Sequence, residues 1–346
     1  MKSSHDYGYN APDVSRPETK GCSEKGKMVM WRVLYAVCGL LAGSFVGVAL
    51  TSPPENEGDV GTRLNRLIEI LERDQPAFGI FSAGASARNA VALSRSSLDF
   101  VLIDMEHAPV DFERLRLLFL AMVDKERALE KGNAQPDVVP IVRLPQNGRE
   151  GLQHLIKQAL DLGAYGLMLP HIETAAEALA AVRAARYPQV RGAKDAEPVG
   201  QRGSGYGFAA HVWGVPGQEY LRRADLWPHD KAGDLLLILQ IESKRGVDNI
   251  EEILAVPGVG AIFVGPADLS MSLGVPQGHV DLEAAIEAVV QATKARRIPC
   301  GITAKTATVE RRLEQGFQLL TLGNDLGFTK NVEVGIETGR RRAAQQ

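Results

Sequence analysis

Cysteine is scarce. The chain has three in 346 residues, Cys22, Cys38 and Cys300, and they lie far apart. An odd, scattered set builds neither a disulfide framework nor a zinc-finger pattern. Aromatic residues make up only 6%, with 3 Trp against 35 Gly, which predicts many tight turns around a modestly aromatic core. No charge sign dominates. The net charge is -3 and the pI near 6.2, so there is no global basic field to hold nucleic acid. A glycine-rich GxGxxG string after the first strand-like run is also missing, which argues against a dinucleotide-binding doubly wound sheet. What is present is ordinary for a globular chain, 45% hydrophobic and 23% charged, and long enough to bury a core without covalent staples.

The first sixty residues differ from the rest. Residues 1–27 are polar, rich in turn formers and without apolar periodicity, which predicts a disordered leader. Residues 28–50 then carry an uncharged run from Val33 to Leu50, the lower length limit for crossing a bilayer core. Lys20, Lys25, Lys27 and Arg32 precede the run; Glu55, Glu57 and Asp59 follow it, with no Lys or Arg before Arg63. The positive-inside rule then puts the N-terminus in the cytoplasm and the rest of the chain outside it. Two readings are open, an uncleaved transmembrane anchor through residues 33–50 and a signal peptide cut near Gly47-Val48-Ala49. A start at Met28 or Met30 would shorten the charged leader, and if the leader is an artefact of start-site choice the protein is expected to be cytoplasmic. Residues 51–60, with Pro53 and Pro54, read as a linker.

From residue 61 to 346 the chain alternates. Eight short apolar runs recur: 77–82, 99–105, 138–144, 165–172, 235–242, 260–266, 299–304 and 319–325. Continuous apolarity, rather than every second residue, marks strands buried on both faces and so a parallel sheet. Segments with apolar residues three and four apart lie between them, as in FERLRLLFLAMVDKERALEK and LEAAIEAVVQATKARR. Eight such units predict an α/β fold, a (β/α)8 TIM barrel preceded by the N-terminal hydrophobic helix. One insertion, residues 187–233, breaks the rhythm. It holds Trp213, Trp227 and the helix-like EYLRRAD, and its length suggests a role at the site or at a subunit contact.

In this architecture the chemistry sits at the C-terminal strand ends. Strand two delivers Asp104, Glu106 and His107; strand three Arg143; strand four His171 and Glu173; strand five Gln240 and Glu242; and strand six Asp268. Glu242 and Asp268, from adjacent strands, suit a hard divalent cation that keeps positions open for substrate. The bland alternative is that Asp268 merely caps the helix after its strand. Arg143 emerges from a buried run and needs a partner, either a structural carboxylate or, favoured here, an anionic substrate. His107, flanked by acids, is a candidate proton shuttle.

The strings DFVLIDMEHAP, PIVRLPQNG, LDLGAYGLMLPHIETAAEA, ARYPQVRG, LQIESKRGVDNIEEI and FVGPADLSMSLG resemble the HpcH/HpaI aldolase family, in order over roughly residues 62–340. The resemblance implies a barrel that forms homo-oligomers by exchanging its last helix, and class II aldol chemistry on pyruvate. It implies a divalent cofactor (magnesium, manganese or cobalt) on Glu242 and Asp268. Arg143 would face the ketone oxygen. His107, oriented by Asp104, would act as acid and base. Gln240 and the backbone N–H groups of Ala267 and Asp268 would hold a 2-oxo acid substrate. The expected reaction is cleavage of a 4-hydroxy-2-oxo acid to pyruvate and an aldehyde. Three alternatives stand beside it: a CoA-thioester lyase of the citrate lyase β or malyl-CoA type, a Schiff-base aldolase using Lys244 or Lys305, and an inactive membrane-anchored barrel.

Overall fold

Eight parallel strands close into a ring. They are β1 (Ala77–Ser82), β2 (Phe100–Asp104), β3 (Val139–Arg143), β4 (Gly166–Leu169), β6 (Leu235–Ile241), β7 (Ala261–Val264), β8 (Cys300–Thr303) and β9 (Leu319–Asn324). Each pairs with the next. β4 pairs with β6, and β9 returns to β1, which closes the (β/α)8 barrel expected from the eight apolar runs. A short extra strand, β5 (Leu226–Trp227), pairs with the first residues of β6. The structure is a computed structural model and describes residues 63–345 apart from 85, 146–152 and 326–329. The leader, the hydrophobic segment 28–50 and the linker 51–60 lie outside the described residues. Among the described residues no helix is long and apolar enough to cross a membrane.

The strands are buried on both sides. All seven residues of β6 and all five of β3 are buried, as near-continuous apolar runs require. Helices start where a side chain can take up a free backbone N–H. Thr174 and Glu177 form a reciprocal capping box, and Asp111, Asp124, Ser86 and Ser243 each accept from the first turn of their helices. The long periodic stretch after β2 is two helices, Phe112–Met122 and Lys125–Lys131. Val123 is extended between them and Asp124 caps the second.

The insertion is not at the site. It folds into helices Gly207–Trp213 and Gly217–Arg223 and strand β5, and it packs on the end of the barrel where strands begin. Trp213 stacks on Tyr165 just before β4, with ring centroids 4.5 Å apart, and its Nε1 donates to Gly163 O. Tyr220 donates to Leu160 O. Arg186, fully buried, grips Asp225 with a two-pronged contact at 2.7 Å and donates to Pro198 O and Asp195 O. These anchors hold the insertion to the opposite end of the barrel from the catalytic mouth, so the expected role at the site is corrected. The last helix is Lys330–Ala343. In this single chain it lies on its own barrel, with Ile336 buried, Gly339 against Phe78, and Arg340 donating to Asp99 at 3.0 Å.

Candidate active site

At the C-terminal mouth, β2 and β3 run side by side with Asp104 level with Arg143. Arg143 donates from Nε to Asp104 Oδ1 at 2.9 Å and from Nη2 to Oδ2 at 2.6 Å. Its Nη1 lies 2.8 Å from Glu106 Oε2. The guanidinium rests 4.4 Å above the Phe81 ring, which is itself set edge-on against Phe263. Of the two partners expected for Arg143, the carboxylate is present here twice, as Asp104 and Glu106.

Asp104 has a second task. Its Oδ1 accepts the backbone N–H groups of Glu106 (3.0 Å) and His107 (3.4 Å), an Asx turn that sets the loop after β2. Asp104 thus orients His107 through the main chain rather than through the ring. The imidazole is 65% exposed, and its Nε2 lies 3.7 Å from Glu106 Oε2.

Glu242 ends β6 almost fully buried, at 2% exposure. Its Oε1 accepts from Gln240 Nε2 at 2.5 Å and its Oε2 from the backbone N–H of His171 at 3.2 Å. The His171 ring faces two acids, with Nε2 3.5 Å from Glu242 Oε2 and 3.6 Å from Glu106 Oε1. One ligand atom from each of Glu106, His171 and Glu242 falls within 4.8 Å of the others, so these residues could hold a metal ion together. Asp268 is half-buried in the first turn of helix Pro266–Leu273. Gly265, not Asp268, is the N-cap of that helix, so the capping alternative does not hold. Asp268 is not part of the three-residue group, but its charge reaches Glu242. Burial, then the carboxylates of Glu106 and Asp268, push the Glu242 carboxyl up to about 8. Burial also raises Glu106, against the pull of Arg143 and the two histidines.

The residues fit a divalent cation. Asp104 and Glu106 contact the one guanidinium, and Glu242 feels the charges of Glu106, Asp268 and Arg143, a local excess of negative charge. Among the described residues one buried oxygen at the site, Gln240 Oε1, has no hydrogen-bond donor. Buried carboxylates that repel one another and an acceptor without a donor are what a hard cation would relieve.

Sequence reasoning singled out Glu242, Asp268, Arg143, Asp104, His107 and Gln240, and the mouth brings all six into one neighbourhood. It noted Glu106 and His171 as strand-end residues without giving them a role; their adjacency to strand ends was the available signal. The lysines of the Schiff-base alternative sit elsewhere in their chemistry. Lys244 is exposed and tied to Asp248 at 2.6 Å, and Lys305 is exposed.

Gly265 shows how tightly Glu242 is held. A Cβ there would lie 2.1 Å from Glu242 Oε1 and 3.0 Å from Gln240 Nε2. Gly265→Ala is therefore expected to displace the Glu242 carboxylate and weaken divalent-cation affinity by about 10–100-fold while the barrel stays folded. Calorimetric Mn2+ titration alongside circular dichroism reads both; unchanged affinity would contradict the tight fit.

A parallel eight-stranded barrel with acids, an arginine and a histidine gathered at its C-terminal mouth defines an enzyme of metal-assisted chemistry. Residues 77–331 match the HpcH/HpaI aldolase/citrate lyase family, and the chain belongs to that family. A hydroxypyruvate/pyruvate aldolase from Paraburkholderia phytofirmans is 35% identical over 274 residues, 77% of this chain and 94% of its own length. A 5-keto-4-deoxy-D-glucarate aldolase from Salmonella paratyphi A is 34% identical over 267 residues, 76% of this chain and 91% of its own. A solved HpcH/HpaI aldolase/citrate lyase family protein from Burkholderia cenocepacia superposes with a TM-score of 0.62 at 33% identity, over 81% of this chain and 98% of that one.

Proposed function

We propose that the chain is a divalent-metal-dependent aldolase, a carbon–carbon lyase that cleaves a 4-hydroxy-2-oxo acid to pyruvate and an aldehyde. The observation that carries the reading is the gathering of Glu106, His171 and Glu242, with one ligand atom of each within 4.8 Å of the others and Arg143 beside them. Members of the family depend on a divalent metal, and the relatives named hydroxypyruvate/pyruvate aldolase and 5-keto-4-deoxy-D-glucarate aldolase support the substrate class. Glu242 and Asp268 would hold the ion, with Glu106 facing it. When bound, the ion supplies Lewis acidity to the ketone oxygen of the substrate.

The chain's own groups do the rest. The Asp104 fork and the Phe81 ring hold Arg143 rigid. Of its five N–H groups, Asp104 and Glu106 take three among the described residues, and the guanidinium would present the remaining edge to the ketone oxygen, where negative charge grows. The first-turn N–H groups of Ala267 and Asp268 have no intrahelical acceptor and suit the substrate carboxylate. His107 takes the proton of the 4-hydroxyl. The C3–C4 bond breaks, the aldehyde leaves, and the electron pair passes to the enolate oxygen beside Arg143. Returning the proton to C3 yields pyruvate.

A panel of 4-hydroxy-2-oxo acids with coupled pyruvate detection tests this. Chelator is expected to abolish pyruvate release, and magnesium, manganese or cobalt to restore it. Full activity in chelator would end the metal reading, and turnover of malyl-CoA in place of the oxo acids would favour the CoA-thioester lyase alternative.

Oligomerisation is typical of the family, and a homo-oligomer is the assembly proposed here. We also propose that residues 33–50 anchor the chain with the barrel outside the cytoplasm, a reading that rests on the uncharged run and its flanking charges. Protease added to intact cells is expected to remove the barrel domain; full protection would overturn that topology.

A further inference from the structure

We infer that His171 supplies a nitrogen ligand to the metal centre and so turns an all-oxygen site into a mixed one that favours manganese or cobalt over magnesium. This rests on the metal-dependent reading above. The side chain is placed for it. His171 Nε2 stands between the two carboxylates, 3.5 Å from Glu242 Oε2 and 3.6 Å from Glu106 Oε1. Three separate strand ends thus deliver the group, β2 through Glu106, β4 through His171 and β6 through Glu242.

The backbone commits the residue to that position. His171 has φ +54, a left-handed conformation that a non-glycine residue adopts only when its surroundings impose it. The imposition is visible on both sides of the residue. Its own N–H donates to Glu242 Oε2 at 3.2 Å, and the next N–H, of Ile172, donates to Gln240 O at 3.1 Å. The same turn that tethers the Glu242 carboxylate therefore aims the imidazole at it. The ring is 24% exposed, so an ion can reach it from the mouth.

Donor chemistry then sets the preference. Magnesium takes oxygen ligands in near-octahedral array and dehydrates reluctantly, whereas imidazole suits the later first-row ions. A site of Glu106, Glu242 and Asp268 alone would serve magnesium well. Adding one imidazole nitrogen penalises magnesium relative to cobalt and manganese.

Electron spin-echo envelope modulation of Mn2+ bound to the full chain reads a coordinated imidazole nitrogen directly. Wild type is expected to show it, His171→Asn to lose it, and His107→Ala to keep it. Asparagine tolerates the left-handed backbone, so that variant preserves the turn. Calorimetry with each ion alone is expected to show the Co2+ over Mg2+ preference falling about tenfold or more in His171→Asn. Nitrogen modulation that persists in His171→Asn, or is absent from wild type while Mn2+ binds and pyruvate is released, overturns this inference alone. Failure of wild type to bind any divalent ion overturns it together with the metal-dependent reading.

Discussion

Glu242→Gln is expected to lower kcat/KM for pyruvate release by at least about 100-fold while making the metal-free protein more stable. The two effects share one cause. Burial first, and then the neighbouring carboxylates of Glu106 and Asp268, raise the Glu242 carboxyl to about 8. Without a cation, folding has to bury that charge or protonate it, and either is costly. A neutral amide of the same shape removes the conflict. It also removes an anionic ligand, and the Lewis acidity is lost with it. The Tm in chelator should therefore rise in the variant, by about 1–2 °C for each kcal/mol at this chain length. Added Mn2+ should raise the Tm of wild type and leave that of the variant unchanged. Activity lost together with stability would instead make Glu242 a structural residue. This exchange of stability for function is the one expected where a site holds groups apart from their best partners.

Arg143→Lys should be nearly as damaging, for a different reason. Its guanidinium serves Asp104 with two parallel bonds and reaches Glu106 with a third nitrogen, all at 7% exposure. An ammonium carries the charge but cannot span both carboxylates or lie flat on Phe81. Loss of the oriented donors at the enolate oxygen should reduce kcat by about 10²–10³-fold. Arg143→Ala should in addition destabilise the fold by about 3–5 kcal/mol, because it leaves two buried acids without their partner. Kinetics of the lysine variant with urea unfolding of both variants separate the catalytic from the structural share. A lysine variant with wild-type kcat would remove Arg143 from the chemistry.

Much of the barrel was legible because its strands are buried on both faces. The run LLLILQIE has no polar break before Gln240, and it became β6 at the expected residue. Position at the strand ends then pointed to Glu242, Asp268 and Arg143 without any contact being known. What the sequence did not carry were distances across the mouth. Which acid of Asp104-Met-Glu-His turns inward depends on Arg143 from the next strand, whose fork occupies Asp104 and leaves Glu106 to face both histidines. His171 was visible as a strand-end residue, but its left-handed backbone follows from the tether to Glu242, a contact over 71 positions. Which end of the barrel the insertion covers was not legible for a similar reason. Its length suggested function, whereas Trp213, Tyr220 and Arg186 find partners at the far end of the barrel that no local pattern announces.

The most direct measurement is anomalous diffraction from crystals soaked in Mn2+. One strong peak between the Glu242 and Asp268 carboxylates, within coordination distance of both and facing Arg143, is the expected result. A peak elsewhere on the molecule, with those two carboxylates unchanged and turned from each other, would contradict the metal centre on which the proposed chemistry depends.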